Sequence, residues 1–494
     1  MARHWSCHFS LKGVKSDKCH CESYQVYPIL NMYRVLVFIF LNVLSIEVFG
    51  QKENIPTDTL KTIRPTLGED LKKGEFDFHV KSFFMSTINH GDLLNYSTLA
   101  MGAGVGYTSP EWKGFEVRFS GFFTFQMFEH NVRIADPITG AGNRYELLLY
   151  DMNDLTNTNK LDRLEELFVA YRRNRLKLVL GRQKLITPLL NDQDNRMRPN
   201  VFGGLSATYS ALNYKITAMW INSVAIRGTV EWYSAEESFG VYPFGRNPFG
   251  EPSDYKDNIS SKGIGLIGFQ YHKSGLTAQA WNYYSENVFN ISFVQTDYTF
   301  DLGGKPRFNV GLQGFHQFAI NDGGNPETSK TYILPGEKGS GLGSKMGVFW
   351  GRHNISLNFL GINGRGRFLF PREWGRENLY ASLSRERYEG SGDMKAIVLK
   401  YDLITPLEGL FAQFGAGKID HSDMYTFKTN KYGIPSYYHF SGMFDYKFDN
   451  YLKGLNMQLL VINKIPQKGS ALTENLKINR VDMWNLNLIM DYRF

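Results

Sequence analysis

Cysteine is nearly missing from this chain of 494 residues: the three present, Cys7, Cys19 and Cys21, all fall within the first 21 positions. Beyond Cys21 no disulfide can form, and a lipid-bearing N-terminal cysteine is excluded for a mature form that starts later. His8 and His20 stand beside these cysteines, but a CxC pair with one distant Cys matches no zinc-finger spacing, so no metal is expected. Runs of the roughly 20 apolar residues that a membrane helix needs are also missing, which excludes a helical bundle. The formal charge is only +7, too little over this length to argue for a nucleic-acid partner.

Catalytic motifs are equally scarce. There is no HExxH pair, and His316, His353 and His439 are scattered, as wall or turn residues would be. GAGVG (102–106) sits in a strand pattern with no helix after it. GSGLGSK (339–345) lacks the Gly-Lys-Ser/Thr order of a phosphate loop and reads as a loop leading into MGVFW. No Ser/His pairing at strand spacing is persuasive as a nucleophile with its base. Neither an enzyme nor a cofactor is therefore expected; the competing readings are a barrel phospholipase or protease, or a plugged structural barrel.

What is present is an address and a long alternation. Arg34 precedes the apolar run VLVFIFLNVL (35–44), and Val48-Phe49-Gly50 offers small residues at the spacing of signal peptidase cleavage. Residues 32–50 are thus expected to be a signal peptide read from Met32, with 1–31 an upstream gene-model extension. Gln51 would open the mature chain, and the polar, Pro-containing stretch 51–74 would be a periplasmic linker. Aromatic residues reach 15% and Gly 48, yet charged residues still make up 21%, and mean hydropathy is −0.31.

From Glu75 to Phe494 the period is two. Phe115, Val117, Phe119, Gly121, Phe123, Phe125 and Met127 share one parity; Glu116, Arg118, Ser120, Thr124 and Gln126 share the other. Strand side chains alternate between faces, so this is a ribbon with lipid on one side and water on the other. Tight turns are expected at 109–114, 172–175, 212–214, 272–275, 301–306, 351–354, 402–409 and 449–454. Longer polar stretches fall between them, such as 129–160, 228–258, 320–342 and 365–392. Eight tight turns separating nine hairpins give about 18 strands, with short periplasmic turns and long external loops. The expectation is an all-β, transmembrane antiparallel barrel over 75–494, closed because every backbone group in hydrocarbon must be paired. It would sit in the outer membrane of a Gram-negative cell, against lipid and lipopolysaccharide.

Residues 176–204, LKLVLGRQKLITPLLNDQDNRMRPNVFGG, carry Thr187-Pro188, Asp194, Arg196, Pro199, Phe202 and Gly204. This block resembles the OprD-like outer-membrane porins, and FPREWGRENLYASLSRERYEGSGD (370–393) is similar to a second loop of that family. By the turn count the blocks lie in the third and seventh long connections. The resemblance implies that these two loops fold inward and narrow a pore through which small charged nutrients, carboxylate-bearing solutes or short peptides, diffuse passively.

Selectivity in such a pore comes from fixed charge at its narrow point. The expected constriction residues are Arg196, Arg198 and Asp194 in the first block, and Arg372, Glu373, Arg376 and Glu377 in the second. Arg385, Arg387 and Glu386 stand beside them. Arginine suits the role because its planar fork takes a carboxylate bidentately and never loses its proton. Parity places Glu116, Arg118, Arg175, Lys177 and Lys400 on the lumen wall. The final stretch NLNLIMDYRF (485–494) alternates apart from Ile489 and is expected to close the sheet against the first strand near 75–85. Its Tyr492 and Phe494 resemble the aromatic signal that barrel-insertion machinery reads.

Overall fold

The computed structural model describes residues 73–494, save 194–195, 302, 304–305 and 469–471. The expected extension, signal peptide and most of the linker lie outside the described residues, as does Asp194. Strands run in chain order as β1 (Glu75–Asn89), β2 (Tyr96–Thr108), β3 (Phe115–His130), β4 (Arg163–Arg173), β5 (Leu176–Gln183), β6 (Val201–Ser210) and β7 (Tyr214–Ala225). They continue as β8 (Trp232–Ser234), β9 (Ile264–Lys273), β10 (Leu276–Ser285), β11 (Phe289–Asp301), β12 (Arg307–Ala319) and β13 (Lys338–Trp350). The last six are β14 (His353–Ile362), β15 (Met394–Ile404), β16 (Leu410–Asp420), β17 (Tyr437–Lys447), β18 (Leu455–Pro466) and β19 (Met483–Arg493).

Each strand pairs antiparallel with its sequence neighbour, and β1 pairs with β19 from His79↔Arg493 to Asn89↔Met483, so the sheet closes. Phe78 and Phe494 extend that seam, exchanging backbone hydrogen bonds of 3.0 and 3.1 Å. β8 is a three-residue piece folded back on the end of β7, while β7 pairs directly with β9. Eighteen strands are therefore staves of the wall, as the turn count implied. All eight expected tight turns lie on one rim. The other rim carries the long loops: L2 (131–162), L3 (184–200), L4 (226–263), L6 (320–337), L7 (363–393), L8 (421–436) and L9 (467–482). On this rim the connection β10–β11 is an exception, with only residues 286–288.

The outward parity is apolar, as lipid contact requires: Phe123, Phe125, Leu312, Leu342 and Met346 are all exposed. Near the short-turn rim it becomes an aromatic girdle. Phe76–Tyr107, Phe115–Tyr171, Tyr214–Phe269, Tyr401–Phe414 and Tyr492–Phe494 have ring centroids 4.7 to 6.2 Å apart. Residues 339–345, expected as loop, belong to β13. Glycine is used there because a Cβ at Gly341 would strike the Phe315 ring and one at Gly339 the backbone of Arg367.

The core lies inside the barrel, between the wall and the loops. Trp374 of L7, Phe239 of L4 and Tyr332 of L6 are buried against Phe289 and Tyr283 of the wall. Phe239 meets Trp374 edge-on at 4.8 Å and Tyr332 at 4.9 Å. L4, L6 and L7 thus fill one side of the lumen as a packed layer.

Candidate functional site

L3 and L7 meet inside the barrel. The side chain of Asn191 donates to the backbone oxygen of Arg376 at 2.8 Å and accepts from its N–H at 3.2 Å. Asn378 N–H donates to Pro188 O at 2.8 Å, and Arg387 donates to Gln193 Oε1 at 2.7 Å. Thr187 holds the L3 turn by accepting from Leu190 N–H at 3.1 Å, and Tyr283 of β10 donates to its hydroxyl at 3.0 Å.

The carboxylates of L7 tie the loop down. Glu373 accepts from Tyr242 N–H at 2.9 Å. Glu377 accepts from the backbone N–H groups of Tyr388 and Glu389, the latter at 3.2 Å. Glu389 pairs with Arg372 and accepts from the Tyr432 hydroxyl of L8. Burial alone would raise its carboxyl, but Arg372 and Lys431 hold it below the ordinary value. Glu386 lies 2.7 Å from His439 and 3.3 Å from Lys464. Opposing the effect of burial, those two partners hold it well below the carboxylate range.

Four arginines of L7 remain on the lumen side. An upper cavity, partly open to solvent, is bordered by Arg372, Arg376, Arg385 and Arg387 of L7. Arg144 of L2, Arg196 of L3, Arg227 of L4, Arg480 of L9 and Lys464 of β18 complete its cationic lining, and Glu386 is the carboxylate present. Arg372 lies 3.7 Å from the centroid of the Tyr432 ring. Burial pushes the Arg385 and Arg387 guanidiniums down to about 10, which leaves both charged at neutral pH. A lower cavity opens toward the short-turn rim between β1 and β17–β19, bordered by Lys81, Phe83, Gln458, Ile489, Asp491 and Arg493 among others. Arg376 and Arg385 border both cavities and so stand at the neck between them. Among the described residues the guanidinium of Arg376 makes no hydrogen bond.

Of the residues expected from sequence, Arg196, Arg372 and Arg376 border the upper cavity. Arg198 does not: it is fully buried, with Nη1 on Leu161 O at 2.7 Å and Nη2 on Tyr150 O at 2.8 Å, pinning L3 to L2. Glu373 and Glu377 are likewise corrected from pore lining to loop anchors, because each satisfies backbone N–H groups that would otherwise be buried unpaired. On the wall, Arg118 faces inward and bonds Glu166 at 2.8 Å and Asp77 at 3.1 Å. Glu116 and Lys177 face each other at 3.9 Å. Lys400 shares the inward parity of Ala396 and Val398. Arg175 is in the exposed two-residue turn between β4 and β5, where strand parity does not apply. Tyr492 and Phe494 lie in the girdle, and Phe494 stacks on Phe78 at 5.5 Å. Arg144, Arg227 and Arg480 escape sequence reasoning: each stands in a polar loop with no local signal that the loop turns inward.

No family model and no curated protein matches the sequence. Solved structures do match in fold. OpdK of Pseudomonas aeruginosa, crystallised with vanillate, is 13% identical with a TM-score of 0.64, covering 86% of this chain and 99% of its own. OccAB4 of Acinetobacter baumannii is 14% identical with a TM-score of 0.66, covering 85% and 98%. OccK2 (OpdF) of P. aeruginosa, in complex with glucuronate, is 15% identical with a TM-score of 0.63, covering 86% and 98%. The chain therefore shares the barrel architecture of these proteins, the one the OprD-like resemblance implied.

Proposed function

We propose that this protein is an outer-membrane channel through which small carboxylate-bearing solutes diffuse passively, passing from the upper cavity to the lower one beside Arg376 and Arg385 of L7. The observation that carries this reading is the lining of the upper cavity, where guanidiniums from L2, L3, L4, L7 and L9 converge while Glu373 and Glu377 of L7 are spent on anchoring the loop. A carboxylate entering there meets planar forks able to bind it bidentately, in surroundings that screen charge less than water does. Multiple weak sites in series, from the upper cavity past the neck to Lys81 and Arg493, let a solute enter and still leave. Vanillate and glucuronate, found with two proteins of the same fold, are both carboxylates. The outward apolar belt and girdle fit a bilayer, and the long loops would face the exterior.

Current block tests the solute class. With the purified barrel in a planar bilayer, added glucuronate should lower the KCl current saturably, while an uncharged sugar of similar size should not. Equal effects of the two would refute the carboxylate reading, and a barrel that passes no current would refute the channel.

A further inference from the structure

Glu146 of L2 is fully buried and borders neither cavity. Its two oxygens accept from Thr87 Oγ1 and Asn143 Nδ2, both at 2.6 Å. Thr87 in turn accepts from Asn485 Nδ2 at 3.0 Å, and Asn485 Oδ1 accepts from Asn487 Nδ2 at 2.8 Å. Asn487 Oδ1 then accepts from Arg385 Nη2 at 2.7 Å. Thr87 on β1 and the two asparagines on β19 face each other across the closing seam, and all three are buried. The chain starts at a guanidinium, which can only donate, and ends at the buried Glu146. Each link between them therefore has one consistent orientation, and both amide flips are fixed by it.

The Arg385 end is itself constrained. Its backbone has φ of 60°, in the left-handed region that L-residues rarely adopt. Its guanidinium lies 5.9 Å from the centroid of the Phe83 ring, on the lower cavity. The hydrogen-bonded chain fixes the guanidinium from the wall side, through Asn487 of β19.

We propose that Asn487, Asn485, Thr87 and Glu146 form a positioning device for Arg385, fixing its guanidinium in the neck and thereby setting the preference of the channel for anionic groups. This rests on the reading of the neck as the solute path. Arg385 is the residue that meets the solute; the other four groups act through it. The same bonds could merely lock L2 to the seam, in which case their loss would lower stability and leave ion preference alone.

Reversal potentials in a KCl gradient, with thermal unfolding measured alongside, separate the two. The full-length barrel is compared with Thr87→Val, Thr87→Ser, Arg385→Ala and the Thr87→Val/Arg385→Ala double variant. Thr87→Val, which keeps the shape and removes the relaying hydroxyl, should lower the chloride-to-potassium permeability ratio by about twofold or more, and Thr87→Ser should retain it. In the Arg385→Ala background, Thr87→Val should change nothing further, the signature of residues acting as one unit. If Thr87→Val does not fold, Asn487→Ala is read in the same way. A shifted ratio for Arg385→Ala with an unchanged ratio for Thr87→Val overturns the positioning inference and leaves the channel reading standing. An unchanged ratio for Arg385→Ala overturns both.

Discussion

The guanidinium of Arg198 ends 2.8 Å from the backbone oxygen of Tyr150, deep between L2 and L3, while Arg196, two residues earlier, borders the upper cavity. One short stretch of L3 thus uses the same side chain twice, once to fasten the loop and once to line the space it encloses.

The two arginines should separate cleanly on mutation. Arg198→Ala leaves two buried carbonyl oxygens without donors, a loss of about 1–3 kcal/mol each, so thermal stability should fall while the anion-to-cation permeability ratio holds. Arg196→Ala should lower that ratio. The reverse pattern would mean that the roles are exchanged.

Trp374 is the anchor of L7: it is fully buried, its indole N–H donates to Ser238 Oγ at 2.8 Å, and Phe239 and Phe370 meet it edge-on. Trp374→Ala removes packing worth about 3–5 kcal/mol, against a wall whose strands remain fully paired. Single-channel conductance should rise and ion preference weaken, with the barrel itself still heat-resistant. A variant with wild-type conductance would show that L7 does not narrow the path.

Acid should loosen L8 through His421. Burial pushes this imidazole down to about 4, with Glu386 and Asp420 acting to raise it and Lys464 to lower it. Because the folded value is depressed, the folded state keeps His421 neutral while the unfolded chain takes up a proton below about 6.5. Stability is therefore unaffected above that value, falls by at most about 1.4 kcal/mol per pH unit between about 6.5 and 4, and falls no further from this group below 4. Proteolysis within 421–436 should accelerate over that window in the wild type and stay flat in His421→Asn. Equal acid sensitivity of both would assign the effect elsewhere.

The wall was legible in the sequence wherever lipid and water set the two faces. The turns at 109–114 or 351–354 stand out because chain reversal at a tight rim demands Gly, Asn or a charged pair between two alternating runs. Alternation misleads where loops pack inside. In β11 the inward residues Phe289, Ile291 and Phe293 are fully buried under the loops, whereas Tyr298 and Phe300, on the opposite parity, face outward at the girdle. The apolar stripe changes sides within one strand because the lumen near the long-loop rim is protein rather than water. The site divides in the same way. The arginines of L7 could be named from the sequence, since the block resembles a known loop, but the glutamates between them look identical as letters. Only the fold shows that Glu373 and Glu377 serve backbone N–H groups while Arg376 faces the neck. Convergence of Arg144, Arg227 and Arg480 is a product of three separate loop conformations, which no local pattern encodes.

The sign of the reversal potential of the wild-type barrel in a KCl gradient tests the central claim most directly. A neck framed by Arg376 and Arg385, below a cavity lined by guanidiniums, should pass chloride in preference to potassium, and Arg376→Ala should move the potential toward zero. A potential of the cation-selective sign, or one at zero, would contradict it.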